Sequence, residues 1–156
     1  MSRDKFTRDH SDFVFKDEER AFLEDHLPTL PHPVARDFFD AAKWVTERVG
    51  HFLTLEGEEN GRLIYLLEGA VAITLKGQVI GRCEAGNFVG EMTALDGGPA
   101  TASAMLVAET RYFAIGSADL KRLCMANLDL RLSLERAMML DTRKKLLASN
   151  EVLRQT

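Results

Sequence analysis

The chain has 156 residues, of which 46% are hydrophobic and 28% charged, and its formal net charge is −4. That length and apolar fraction suit one compact domain with a core of its own and exclude a largely disordered chain. The acidic balance argues against a general affinity for nucleic acid, which needs a basic face. The two distant cysteines, Cys83 and Cys124, are too few for a disulfide scaffold, a structural zinc site or an iron–sulfur cluster.

Residues 1–16 read as a polar tail without the apolar stretch of a secretory signal, and residues 17–156 as a single domain. Asp17 opens a helical pattern, DEERAFLEDHL, with acidic residues in the first turn where the helix dipole favours them. Pro28, Pro31 and Pro33 break it, and Pro33 suits the first turn of a second helix, PVARDFFDAAKW, with Phe38, Phe39 and Ala42 facing inward. From Trp44 the period shortens. Strands are expected at WVTERV, FLTLE, RLIYLL, AVAITLK, QVIGRC, TASAMLV and TRYFAI, punctuated by Gly50, Gly57, Gly61, Gly69, Gly77 and Gly86. Lys76-Gly77 reads as a hairpin turn. After Gly116, Ser117 is expected to cap a short helix, ADLKRLCMA, and Asn127 to mark the joint to a long helix from Leu128 to about residue 153. The order predicts a mainly β fold with flanking helices: a roll over about 44–116, then C-terminal helices over about 117–153. The longest apolar stretch, Leu63 to Leu75, contains Glu68 and is too short to span a bilayer, so a soluble, cytoplasmic protein is expected.

The stretch richest in chemistry is EAGNFVGEMTALDGGPATASAML, residues 84–106. Gly86 and Gly90 bracket Phe88 and Val89, and a helix-like turn, EMTAL, follows at once. A short helix opening after a glycine aims free N–H groups at one spot, which suits an anion. Glu91, in that first turn, is placed to accept hydrogen bonds from sugar hydroxyls, or else is an ordinary surface carboxylate favoured by the helix dipole. Thr101 and Ser103 offer hydroxyls for an opposite wall, or are ordinary strand residues. From the residues alone the candidates are the turn opened by Gly90, with Glu91, and the hydroxyls of Thr101 and Ser103.

The run VGEMTALDGGPATASA resembles the phosphate-binding cassette of cyclic nucleotide-binding domains, whose usual form is close to FGELALLxxxPRxAT. Gly90, Glu91, Leu95, Pro99 and the small residues Thr101, Ala102 and Ser103 match. Gly50, Gly57, Gly69 and Gly86 fall in the family's order, and the likeness covers about residues 30–150. The resemblance implies a double-stranded, jelly-roll-like β-roll followed by a long C-terminal helix. It also implies that Glu91 binds the ribose 2′-hydroxyl, that the backbone of Gly90, Met92 and the Thr101–Ser103 region holds the cyclic phosphate, and that the long helix closes over the base. The binding set it implies is Val89, Gly90, Glu91, Met92, Thr93, Ala100, Thr101, Ala102 and Ser103. Met138 or Met139 would then form the lid, although core or dimer packing is the more ordinary account of their places on that helix. One departure stands out. Ala100 occupies the position where the family carries an arginine against the phosphate, a charge-assisted contact worth roughly 1.5–3 kcal/mol. Arg82 and Arg111 are the candidate substitutes. The sequences GRLIYLLEGAVAITLKGQVIG and DLRLSLERAMMLDTRKKLLASNE are also similar to the Popeye domain, a divergent relative that lacks the same arginine.

His10, His26, His32 and His51 show neither HxH nor HExxH spacing, and no nucleophile elbow or P-loop is present, so neither an enzyme nor a metal protein is expected. The function implied is a regulatory domain that captures cAMP or cGMP, as ligand rather than cofactor, and signals through its C-terminal helix. A homodimer through that helix is a further expectation, and neither nucleic acid nor membrane is expected as a partner. The chain as given leaves no room for a helix-turn-helix unit. The competing reading is a degenerate fold serving as an interaction or dimerisation module without nucleotide binding.

Overall fold

A computed structural model describes residues 14–90, 95 and 97–155, with side-chain detail to residue 144. Two helices come first, α1 (Asp17–His26) and α2 (His32–Asp40). The strands follow as β1 (Lys43–Glu47), β2 (Phe52–Thr54), β3 (Arg62–Glu68), β4 (Ala70–Leu75), β5 (Gln78–Glu84), β6 (Phe88–Val89), β7 (Ser103–Leu106) and β8 (Thr110–Gly116). Two helices, α3 (Ser117–Ala126) and α4 (Leu128–Gln155), close the order. The strands form two four-stranded sheets, β1-β8-β3-β6 and β2-β7-β4-β5, with antiparallel neighbours throughout. The expected β-roll with a long C-terminal helix is therefore the fold found.

The β4–β5 hairpin turns at Lys76-Gly77 as expected, with Leu75 paired to Gln78. Both turn residues have positive φ, 51° and 80°, the arrangement whose twist matches that of the flanking strands. Three local features differ from the sequence reading. Phe88 and Val89 form a strand of their own, pairing with Tyr65 and Ile64; two residues are too few to show a period. Ser117 is the first helical residue of α3 rather than its cap, which is Gly116. Phe15 and Lys16 belong to the packed domain, because the Phe15 ring is buried against His32 and Phe39 and the Lys16 N–H donates to Glu19 at the start of α1. Asn127 does mark the joint between α3 and α4, where its Oδ1 accepts the Leu130 N–H at 3.0 Å.

Alternation along β3 and β8 divides the core in two. Leu63, Tyr65, Phe113 and Ile115 face the helices and join Phe22, Phe38 and Phe39 with Leu120, Leu130 and Leu134 in one cluster. Ile64, Leu66, Tyr112 and Ala114 face the other sheet and fill the roll with Leu53, Val71, Cys83, Val89, Ala104 and Leu106.

Candidate functional site

The cassette segment starts where β6 ends, and the loop between β2 and β3 holds it at both ends. Gly90 has φ +74°, and a Cβ there would come within 2.5 Å of Asn60 Nδ2, so the position requires glycine both for its backbone and for its space. Asn60 is buried, and its Nδ2 donates to the Gly90 carbonyl at 2.8 Å. The Asn60 N–H donates to Gly98 O at 3.2 Å, and Glu59 Oε1 accepts the Gly98 N–H at 3.1 Å. Next along, the Ala100 N–H donates to Glu58 O at 2.7 Å, and Ala100 O accepts the Gly57 N–H at 2.9 Å. The entry and exit of the segment are thus tied to one short stretch, residues 57–60.

Of the expected binding residues, Glu91, Met92 and Thr93 lie outside the described residues. Val89 is buried in the roll interior beside them in sequence. Ala100 is buried with both backbone polar groups bonded to the β2–β3 loop, so the chain there turns no free N–H to a ligand. Thr101 is exposed. The Ala102 carbonyl accepts the Thr54 hydroxyl at 3.0 Å, and Ser103 Oγ accepts the Glu56 N–H at 2.9 Å. Ser103 therefore braces the end of β2, while its neighbour Ala104 is the residue that enters the roll.

Neither expected substitute arginine enters the roll. Arg82 is exposed and pairs with Glu84 at 3.1 Å. Arg111 lies on the helix-facing side of β8, where it pairs with Glu18 of α1 and with Glu68. An arginine not singled out from the sequence does enter. Arg62 opens β3 on the same side as Ile64 and Leu66, its Nη2 donates to Leu53 O at 3.3 Å, and its guanidinium lies 5.8 Å from the centroid of the Tyr112 ring. Burial pushes the Tyr112 phenol up, with Glu47 adding to the shift and Arg62 opposing it. A cavity of about 200 Å³ beside this group is lined by residues 52–55 and 58–62, Asn60 and Arg62 among them.

The cassette segment also touches the helical layer. Leu95 packs against the helix-facing cluster, and a Cβ at Gly97 would lie 3.9 Å from Lys121 Nζ of α3. Phe88, two residues before Gly90, is fully buried in that same cluster, with its ring 5.1 Å from Tyr65 and 6.0 Å from Phe22. On α4, Met138 is buried inside the cluster, whereas Met139 is 72% exposed. Among the described residues, no helix is long and apolar enough to cross a membrane.

This arrangement is an antiparallel two-sheet β-roll, with a glycine-opened segment gripped by the β2–β3 loop and helices backing one sheet. The family model described as cyclic nucleotide-binding domain matches residues 47–127, from the end of β1 to the joint before α4. The chain belongs to the cyclic nucleotide-binding domain family. It is similar to a putative cyclic nucleotide-binding protein from Geobacter metallireducens GS-15, with 19% identity and a TM-score of 0.74, over 85% of this chain and 99% of that one. It is similar also to a cyclic nucleotide-binding domain from Methylobacillus flagellatus KT, with 20% identity and a TM-score of 0.73, over 94% and 96% of the two chains. A third similar structure is cAMP-bound PfPKA-R, with 18% identity and a TM-score of 0.65, over 87% of this chain and 46% of that one. At these identities the likenesses establish the shared fold. No curated protein sequence matches the chain.

Proposed function

We propose that the chain is a non-enzymatic regulatory domain that captures a cyclic nucleotide, cAMP or cGMP, in the roll beneath the cassette and signals through its C-terminal helices. The observation that carries this reading is the double attachment of the cassette segment. Its two ends are hydrogen-bonded to residues 57–60, while Leu95 within it packs against the cluster that holds α3 and α4. A ligand that reorders the segment between those ends moves Leu95, and with it the surface on which α3 rests. Such a ligand shifts the helices only in so far as it favours one of their positions over another. Glu91 is assigned the ribose 2′-hydroxyl, and the amides of Gly90 and Met92 the phosphate. Leu132, Met139 and Leu140, exposed on α4, support a dimer paired through that helix as the form that reads out the change.

Calorimetric titration of the chain with cAMP and with cGMP tests the reading, beside the variant Glu91→Ala. Binding of either nucleotide, weakened by the substitution, is expected. No heat with either at millimolar concentration overturns the proposal and leaves the fold as an interaction module, and binding unchanged in Glu91→Ala removes that residue from the site.

A further inference from the structure

Arg62 is a cation inside the roll that forms no ion pair among the described residues. Its place at the head of β3 gives it the inward side shared with Ile64 and Leu66, both fully buried between the sheets. One N–H goes to Leu53 O, and the Tyr112 ring covers one face. No carboxylate among the described residues comes within 4.0 Å of its guanidinium. The contrast with the helix side is direct, because Arg36 and Arg111 each pair with two carboxylates there. A half-buried guanidinium has given up part of its hydration, and a fork of mostly unused donors is the arrangement that a planar or tetrahedral oxyanion completes.

A second donor lies in the same interior. Tyr112 is fully buried, and its hydroxyl lies between the guanidinium of Arg62 and the carboxylate of Glu47 without a well-aligned hydrogen bond to either. Leaving such a group unpaired is unfavourable unless a ligand or a water satisfies it. Glu47, the carboxylate nearest this phenol, also lies 2.8 Å from His51 Nε2, so a ligand oxyanion would meet the hydroxyl in competition with Glu47.

The position of Arg62 connects it to the cassette. Ile64 pairs with Val89, so Arg62 lies at the end of β3 where the chain leaves β6 at Gly90. Its backbone N–H donates to Asn60 Oδ1 at 3.4 Å, and Asn60 in turn holds the Gly90 carbonyl. At the far end of the segment, Ala100 supplies neither a charge nor a free N–H.

We infer that Arg62 is the cationic partner of the bound nucleotide's phosphate, reaching it across the roll from β3, with the Tyr112 hydroxyl as a second donor. The inference rests on the cyclic-nucleotide reading above and adds to it a residue that determines affinity for the anion. It also accounts for the neutral side chain at position 100, since the charge enters from another strand.

The test is a titration of cAMP into four forms of the chain: unaltered, Arg62→Gln, Ala100→Arg, and the double variant. Arg62→Gln is expected to weaken binding about 10- to 100-fold, the range of one charge-assisted contact. Ala100→Arg in the Arg62→Gln background is expected to recover at least about tenfold, because it returns one cation to the same anion. Tyr112→Phe provides a milder probe that keeps the ring, with a loss of about three- to tenfold expected. Binding by the unaltered chain that persists undiminished in Arg62→Gln overturns this inference alone. A loss that Ala100→Arg does not recover also overturns it, since that result marks a packing defect rather than a missing charge. Failure of the unaltered chain to bind cAMP or cGMP overturns the cyclic-nucleotide reading first, and the inference with it.

Discussion

The two faces of the β3–β8 pair are built for different ends. The helix-facing side is aromatic and continuous: Phe22 stacks on Phe38 at 5.8 Å, meets Tyr65 at 4.7 Å and Phe113 at 5.2 Å, and is itself 2% exposed. Its charged groups at the margin are paired, Glu19 with Arg36 and Glu18 with Arg111. The roll-facing side is aliphatic and carries its polar groups unpaired or bonded to loops, with Arg62 and the Tyr112 hydroxyl inside and Asn60 at the mouth. One face is packed to hold helices in place; the other forgoes some polar satisfaction, and under the proposed function those are the groups a ligand would use. The proposed function would thus place stability and recognition on opposite sides of the same strands.

Mutation measures this division directly. Phe22→Ala removes the ring at the centre of the aromatic face, and a loss of about 3–5 kcal/mol is expected in urea unfolding. A loss below about 1 kcal/mol there contradicts the view that this face carries the stability. Gly90→Ala forces a side chain into positive φ against Asn60, with an expected cost of about 1–3 kcal/mol and weaker nucleotide binding; both are read by denaturation and calorimetry. On the roll face, Tyr112→Phe deletes a buried hydroxyl that makes no well-aligned hydrogen bond, so the free domain is expected to gain about 1 kcal/mol while nucleotide affinity falls. A stability loss instead shows that the hydroxyl is satisfied in the free state, and the contrast between the faces narrows.

The smallest expected effects are in pH dependence, and they belong to the helix side. Tyr65 is pushed up to about 12, first by burial and then by the charges of Asp25 and Asp141, and its hydroxyl lies 3.0 Å from His26 Nε2. A phenol with a raised folded-state value contributes stability that is full below its ordinary value of 10.0 and is lost as pH rises toward about 12. His26 is lowered from 6.5, mainly by burial, so its contribution is present above 6.5 and is lost as pH falls through its folded value. Melting temperatures of Tyr65→Phe and His26→Gln across pH check both limbs: the first is expected to flatten the alkaline fall, and the second the acid fall. An unchanged acid limb in His26→Gln assigns that fall to other groups.

Most strands were legible because glycines separate short β-favouring runs, and the hairpin was legible because Lys76-Gly77 sits between two of them. Parts of the site were hidden for physical reasons. RLIYLL is apolar on both faces, because β3 is buried on both, so its period gives no sign that Arg62 points into the roll. Asn60 precedes Gly61 and reads as an ordinary turn pair, whereas its side chain spans 30 residues of sequence to reach Gly90. Arg82 and Arg111 lie on plausible strands, but strand alternation turns both away from the interior, and only the register reveals this. The glycine at 90 was legible as a glycine. That Asn60 is what excludes a side chain there was not.

The brevity of β6 has a consequence for how tightly the cassette is coupled to the helices. Phe88 is sealed among the rings of the helical layer, Val89 points into the roll, and Gly90 begins the cassette, so three environments meet in three consecutive residues. From the cassette's first peptide to the helices the covalent route is two residues, about 7 Å of extended chain. Over that distance the backbone acts as a lever of nearly fixed length, and a shift at Gly90 arrives at the Phe88 ring without passing through a relay of side chains that must each repack in turn.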